Sequence, residues 1–221
     1  TVGTYGKYSG VPTGHDVSSN DAFKDSSRPA ITSTTPTYWM RASEVYFLLA
    51  EAALHGFAVG GTAESLYEKG IEMSFEENGI ASSEVADYMS SGLKPSAYSF
   101  HLTNPSVNVD APALTQATTE WTGTDEEKLE KIMIQKWIAL YPNGQEAWSE
   151  YRRTGYPKLH STITNYSNGE VDSEVGIRRM RFPTNKSTSA EDIANLESAR
   201  KLLRGGLDKA GTRLWWDNKN H

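Results

Sequence analysis

The stretch of the chain that decides its fold class is residues 135–157, which read QKWIALYPNGQEAWSEYRRTGYP. Its first part continues an apolar stripe that begins at Leu129 and repeats every three or four residues, as in a helix packed on one side. A proline at 142 followed by Asn-Gly interrupts this pattern, because proline removes a backbone donor and clashes with the preceding turn. Gly155 and Pro157 form a typical helix stop. The stretch therefore predicts two consecutive helices joined by a tight turn.

Capping signals define the neighbouring helices. Thr124 is followed three residues later by Glu127, which is the pattern of a capping box at a helix start. A further helix is predicted over 190–204, with Ser189 as its N-cap. Between these helices, residues 177–183 are expected to form a short strand or an extended segment. The region 124–221 is thus predicted to be helical.

An earlier pair of helices is predicted over 38–55 and 63–78, where apolar residues recur at helical spacing. The short connection makes them antiparallel neighbours. The second helix carries the small residues Ala63 and Gly70, and Tyr67 lies four positions after Ala63. This pattern is similar to the second helix of a tetratricopeptide hairpin.

The other segments lack a period. Residues 1–37 are rich in Gly, Ser, Thr and Pro, which favours an irregular arm. Residues 80–123 form a long polar insertion, and loops of that length are usually functional or disordered. The chain is expected to divide into the arm, the helix pair at 38–79, the insertion and the helical region.

Composition excludes several classes of protein. The 221 residues carry a net charge of −6, whereas nucleic-acid binders need a basic surface. The 6 Trp, 11 Tyr and 6 Phe are more aromatics than a disordered chain carries. With no cysteine, the chain has no disulfide and no thiolate nucleophile. No apolar run approaches the roughly 18 residues that span a membrane.

A family resemblance becomes visible when the residues of the opening stretch are compared as a set. The pattern is QKWxALY, a break containing glycine, and EAWxExRRTGxP. The chain supplies Gln135, Lys136, Trp137, Ala139, Leu140, Tyr141, Gly144, Glu146, Ala147, Trp148, Glu150, Arg152, Arg153, Thr154, Gly155 and Pro157. With these residues it resembles the SusD-like (RagB/SusD) family. Further elements resembling the family follow in the expected order at 41–52, 178–183, 205–208 and 212–217.

The resemblance implies a mainly α fold, in which a tetratricopeptide-like helical hairpin scaffold carries long irregular loops. It implies that residues 1–221 are the C-terminal part of a SusD-like domain. It also implies an outward-facing outer-membrane lipoprotein that binds an oligosaccharide or another nutrient without catalysis. The implied partner is a SusC-like TonB-dependent transporter, and no cofactor or metal is expected. Because the chain begins without Met or a signal segment, the leader and the lipid anchor are expected upstream.

Two other functions remain open. A secreted glycoside hydrolase or accessory domain is possible because carboxylates are plentiful, and a pair across a cleft would suffice. However, the sequence contains no H-E-x-x-H and no G-x-S-x-G motif. A tetratricopeptide-like adaptor for a protein partner is the third hypothesis. The insertion at 80–123 argues against the regular array that such an adaptor needs.

Candidate ligand-binding residues are aromatic and polar side chains in loops. Sugars expose apolar ring faces that stack on aromatic rings, and their hydroxyl groups need hydrogen-bonding partners once they are desolvated. Loops present such groups most readily. The candidates are Trp121 as first choice, Tyr98, Phe100 and Asn104 in the insertion, Tyr5 and Tyr8 in the arm, and Tyr166 with Asn165 and the nearby Asn168.

The residues of the family pattern are expected to be structural instead. Trp137 and Trp148 lie on apolar helix faces, where aromatic side chains usually pack in the core. Arg152 and Arg153 are expected to cap or pair near the end of their helix. The Trp-Trp pair at 215–216 is likewise expected to pack.

Overall fold

The computed structural model describes residues 10–11, 14, 23, 26–101, 108–183 and 189–217. This part of the chain is mainly helical, as predicted. In order it contains α1 (Ala42–Leu54), α2 (Ala63–Glu77), α3 (Ser83–Ser90), β1 (Tyr98–Phe100), β2 (Val109–Ala111), α4 (Asp125–Ala139), α5 (Gly144–Thr154), α6 (Ala190–Lys201) and a 3-10 turn at Arg204–Gly206. Within these ranges, none of the helices has the length and apolarity needed to cross a bilayer.

The predicted capping residues begin their helices. The Thr124 hydroxyl accepts a hydrogen bond from the Glu127 amide at 3.3 Å, and the Glu127 carboxylate accepts one from the Thr124 amide at 2.7 Å. Ser189 and Asp192 form the same reciprocal pair at the start of α6. At the other end of α5, Gly155 has φ +78°, a left-handed conformation that glycine adopts without steric cost.

The start of α1 differs from the prediction. The helix begins at Ala42 and not at Tyr38. Residues 38–40 are all exposed, and Trp39 keeps 94% of its surface accessible. Tyr38 is at helical spacing from the apolar residues that follow it, but no core residue covers it. The prediction from spacing alone therefore placed the start of the helix too early.

The core lies where α1, α2 and α4 meet. Phe47 of α1, Tyr67 and Ile71 of α2 and Ile132 of α4 are all buried in one apolar cluster. Gly70 permits the close approach of α1 and α2, since a Cβ at this position would lie 2.6 Å from the Phe47 ring. The two helices therefore form the predicted tetratricopeptide-like pair.

The insertion is more ordered than its composition indicated. It contains α3 and the antiparallel pair β1–β2, and Val85 and Phe100 are buried. Thr119 is buried too, and its carbonyl accepts a hydrogen bond from the Tyr67 hydroxyl at 2.8 Å. Apolar residues of α3 lie at helical spacing, but the surrounding Ser and Asp residues obscured that pattern.

The region after α5 is held by ion pairs. Residues 177–183 form no strand, contrary to one of the two predicted alternatives. Instead Arg178, which is fully buried, donates two hydrogen bonds of 2.7 Å to the Asp217 carboxylate. Arg179 pairs with Asp208 at 2.6 Å. Helix α6, in contrast, buries no residue in the described part of the chain.

Candidate functional site

A cleft in the described part of the chain has a volume of about 860 Å³. This volume is within the range of about 300–1,000 Å³ that is usual for small-molecule sites. The cleft lies between the β1–β2 hairpin, the start of α4, the end of α5 and the segment that follows α5. It is lined by Gly10, Val11, Tyr98, Val109, Asp110, Ala111, Pro112, Leu114, Glu126, Tyr151, Thr154, Gly155, Tyr156, Lys158, Leu159, His160, Ser161, Ile163, Glu174 and Val175.

The β1–β2 hairpin has one aromatic face and one polar face. Tyr98 and Phe100 lie on the same face, because side chains alternate along a strand. Ser99 lies on the opposite face and is paired in register with Asp110. The Asp110 carboxylate accepts hydrogen bonds from the Ser99 hydroxyl at 2.7 Å and from His101 Nε2 at 2.8 Å. These two hydrogen bonds, that from Ser99 above all, hold the pKa of Asp110 below its usual value.

Tyr98 brings the aromatic face of the hairpin to the cleft. Its hydroxyl donates to the Gly10 carbonyl at 3.1 Å, and burial raises its pKa. Its ring is nearly parallel to that of Phe100, with 6.4 Å between the centroids. Phe100 is only 1% exposed and also stacks on Phe23, so its ring supports Tyr98 from behind.

The opposite wall of the cleft carries polar groups. The Tyr156 hydroxyl donates to Glu126 Oε1 at 2.9 Å. Burial and this hydrogen bond raise the pKa of Tyr156 well above its ordinary value. Lys158 and His160 are exposed at the rim. The cleft therefore combines aromatic rings with hydrogen-bonding groups of both charge signs.

Trp121, the first choice from sequence, lies away from this cleft. Its ring is half-buried against the core, with its centroid 5.0 Å from that of Tyr67. The Lys128 ammonium lies 5.6 Å from its ring centroid. The structure thus gives Trp121 a packing role, and its contribution to ligand binding stays a prediction.

Of the remaining candidates, Tyr166 and Asn165 do not line the cleft. Tyr166 is 72% exposed. The Asn165 amide group donates to the Val171 carbonyl at 2.8 Å and to Ser173 Oγ at 3.0 Å, which organises the loop around Tyr166. Tyr5, Tyr8 and Asn104 lie outside the described residues.

Sequence reasoning missed the wall formed by Tyr156, Lys158 and His160. The available signal was position: these residues directly follow Gly155, the predicted helix stop, and so belong to a loop. What the sequence could not supply is the long-range packing that brings this loop to the hairpin.

A smaller pocket of about 330 Å³ lies between α3 and α4. The Gln135 amide oxygen in its wall accepts a hydrogen bond from the Tyr88 hydroxyl at 3.1 Å. Lys131 donates to the Glu120 carbonyl at 2.6 Å and to Thr122 Oγ1 at 3.0 Å, and its burial lowers its pKa. Lys131 therefore fastens the loop before α4 to the helix.

The residues of the family pattern are largely structural, as predicted. Trp148 donates from its indole nitrogen to the Ile177 carbonyl at 2.9 Å, and the Arg152 guanidinium stacks 3.6 Å from its ring centroid. Arg153 bridges Glu51 of α1 and Glu150 of α5 at 2.6 Å each. Trp215 is the exception, since it is 78% exposed and not packed as expected. Among the described residues, no group of three or more His, Asp or Glu side chains is placed to hold a metal ion.

Comparison with known proteins identifies the family. The family described as "SusD-like: Susd and RagB outer membrane lipoprotein" matches residues 2–217. The chain belongs to the SusD-like family. This result confirms the resemblance inferred from residues 135–157. Curated proteins provide no significant match.

Solved SusD-like structures support the fold as well. A chitin-binding SusD homologue from Flavobacterium johnsoniae is 44% identical, with a TM-score of 0.72 over 83% of this chain and 37% of its own. A SusD homologue from Bacteroides thetaiotaomicron is 40% identical, with a TM-score of 0.75 over 86% of this chain and 40% of its own. One from Bacteroides uniformis is 39% identical, with a TM-score of 0.76 over 88% and 40%. The chain thus spans about two fifths of the length of these relatives.

Proposed function

We propose that this SusD-like chain belongs to a protein that binds a glycan, or another nutrient, at the cell surface without catalysis. The observation that carries the proposal is the family match over residues 2–217. A glycan is the favoured cargo because a relative at 44% identity is described as chitin-binding. The bound nutrient passes to a SusC-like TonB-dependent transporter.

The proposal includes a location and a place in the full-length protein. The family is described as outer-membrane lipoproteins, which supports an outward-facing, lipid-anchored protein. Residues 1–221 form the C-terminal part of a SusD-like domain. Within it, 1–37 is an arm, 38–79 the helix pair, 80–123 an insertion and 124–221 the helical region.

Within the described part of the chain, the 860 Å³ cleft is the favoured ligand site. Tyr98 offers a supported ring that can stack on the apolar face of a pyranose. Glu126, Lys158 and His160 offer partners for sugar hydroxyl groups, which would otherwise lose hydrogen bonds on leaving water. The exposed ring of Tyr166 is a second, separate contact point.

The test uses the full-length protein, a glycan array to find the cargo and calorimetry to measure its Kd. We expect Tyr98→Ala to raise the Kd about tenfold, because a stacked ring contributes on the order of 1 kcal/mol beyond its buried area. Tyr98→Phe keeps the ring and retains most of the affinity. Tyr141→Ala, at an exposed tyrosine outside the lining of the cleft, is the matched control and leaves the Kd unchanged.

Three outcomes contradict the proposal. Absence of binding to any glycan or peptide removes the nutrient function. Release of shorter sugars from a bound glycan favours the hydrolase. An unchanged Kd in Tyr98→Ala assigns the site to another surface.

A further inference from the structure

The chain contains three Asn-Gly pairs, at 78–79, 143–144 and 168–169. In such a pair, the glycine backbone nitrogen attacks the amide carbon of the asparagine side chain. Its N–H proton is lost, ammonia leaves, and a five-membered succinimide forms. Water then opens the ring at either carbonyl, giving aspartate or isoaspartate. Glycine favours the step because it has no Cβ to hinder the approach of its nitrogen. The reaction needs only water.

At two of the pairs, the structure engages both reacting groups. The Asn78 amide donates to the Ser74 carbonyl at 2.7 Å, and the Gly79 amide donates to the Glu76 carbonyl at 3.0 Å.

The second engaged pair caps α5. Asn143 Oδ1 accepts from the Glu146 amide at the start of the helix. The Gly144 amide donates to the Pro142 carbonyl at 2.9 Å. Attack at either of these two asparagines therefore requires a helix end to open.

The third pair lacks both restraints. Asn168 and Gly169 have φ of +52° and +81°, and they form the tip of an exposed turn closed by the Glu170 amide on the Ser167 carbonyl at 3.1 Å. Positive φ at both central positions is the type I′ pattern that Asn-Gly favours. In the described part of the chain, neither the Asn168 side chain nor the Gly169 nitrogen makes a hydrogen bond. Asn165 and Ser167 brace the flanks of the turn and leave its tip free.

We propose that Asn168 is a site of spontaneous deamidation, where the folded protein converts this asparagine to aspartate or isoaspartate selectively over Asn78 and Asn143. The product adds a carboxylate two residues after Tyr166 and two before Glu170, which pairs with Arg181 at 2.8 Å. Isoaspartate also lengthens the backbone beside the Gly169 carbonyl, which accepts a hydrogen bond from Lys209. The chemistry is independent of the proposed nutrient binding.

The test compares folded and unfolded protein. Both are incubated in mildly alkaline buffer, the unfolded sample in urea, and all three asparagines are quantified by peptide mapping with mass spectrometry. In the folded chain we expect Asn168 to react at least about tenfold faster than the other two, because their reaction awaits local opening of a capped helix end. In urea this difference disappears. Asn168→Asp supplies the chromatographic standard for the aspartate product.

The comparison between samples makes the proposal falsifiable. If Asn168 reacts no faster than Asn78 and Asn143 in the folded protein, the proposal is overturned. Selectivity that persists unchanged in urea also overturns it, because the preference would then come from local sequence and not from the fold.

Discussion

Lys136 of α4 is a buried cation, only 1% exposed, among carboxylates of two other helices, α1 and α5. Its ammonium lies 3.5 Å from Glu150 and 3.8 Å from Glu146, both on α5. Glu44 of α1 belongs to the same group of charges, and burial raises its pKa although Lys136 partly opposes this effect. A buried charge costs free energy unless its partners compensate it. For Glu44, the attraction of Lys136 does not fully compensate the cost of burying a charged carboxylate.

The raised pKa of Glu44 predicts a pH-dependent variant. The folded chain holds this proton more tightly than the unfolded chain. The resulting stabilisation is complete below the ordinary pKa of a glutamate and is lost as the pH rises through the raised value. Glu44→Gln stays neutral throughout. We therefore expect its free energy of unfolding, relative to wild type, to increase as the pH rises through this window, measured by urea denaturation.

Glu84→Gln provides the control for this pH series, because Glu84 is exposed in the first turn of α3. Its difference from wild type should not follow the same course. Parallel pH profiles for Glu44→Gln and wild type would show that burial does not perturb this carboxyl.

For single residues, the sequence indicated which types of side chain could bind a ligand better than it indicated where those side chains lie in the fold. Tyr98 was one of several candidates in the insertion and lines the cleft, but the same reasoning chose Trp121, whose ring packs on Tyr67. A large aromatic in a polar segment is equally suited to both roles. Only contacts between distant segments distinguish them, and one sequence does not contain those contacts in readable form.

Helices were predictable where their signals are local. The capping boxes at Thr124 and Ser189 determine where α4 and α6 begin, because donor and acceptor lie three residues apart. The predicted start of α1 was too early, because the helical spacing of apolar residues does not by itself show where a helix begins. Helix α3 was missed because polar residues interrupt its apolar ones and because its packing is with distant residues, such as Phe75 of α2 against Tyr88.

The packing of α1 on α2 predicts the effect of one added methyl group. Gly70→Ala places a Cβ about 2.6 Å from the Phe47 ring, which is completely buried and has little room to move. Overpacking of this kind costs about 1–3 kcal/mol, which exceeds the gain of about 1 kcal/mol from the higher helix propensity of alanine. We expect a lower free energy of unfolding in thermal or urea denaturation.

Gly144→Ala is the matched control for Gly70→Ala. It makes the same change in the first turn of α5, where no atom lies within 4 Å of the added Cβ. We expect it to be neutral or slightly stabilising. Equal destabilisation by the two variants would show that the approach of Phe47 does not limit the residue at position 70.

For the molecule as a whole, charged side chains join segments that are distant in sequence. Arg153 connects α5 to Glu51 of α1, 102 residues earlier. Arg178 connects the segment after α5 to Asp217, and Arg213 adds a further contact to the same carboxylate at 2.9 Å. The sequence predicted that the arginines after Trp148 pair, but not with which partner, because these distances exceed any local pattern.

The buried pair of Arg178 and Asp217 predicts a large loss of stability. Asp217→Asn leaves the guanidinium of Arg178 buried without its countercharge, and breaking such a pair typically costs about 3–5 kcal/mol. We expect a loss of this order in urea denaturation. Arg181→Met is the control, because it breaks the solvent-exposed pair with Glu170 and should cost well under about 1 kcal/mol. Comparable losses would mean that burial does not set the contribution of the first pair.

The same pair has a consequence for biosynthesis. Asp217 lies 39 residues after Arg178, and a ribosome delivers these positions in order. While the intervening chain is being made, the guanidinium of Arg178 has no countercharge and burying it is costly. The nascent protein can pack α1, α2 and α4 as they emerge, since domains fold progressively during synthesis. The segment around Arg178 must wait in solvent until Asp217 leaves the exit tunnel, so this region completes its fold late in translation.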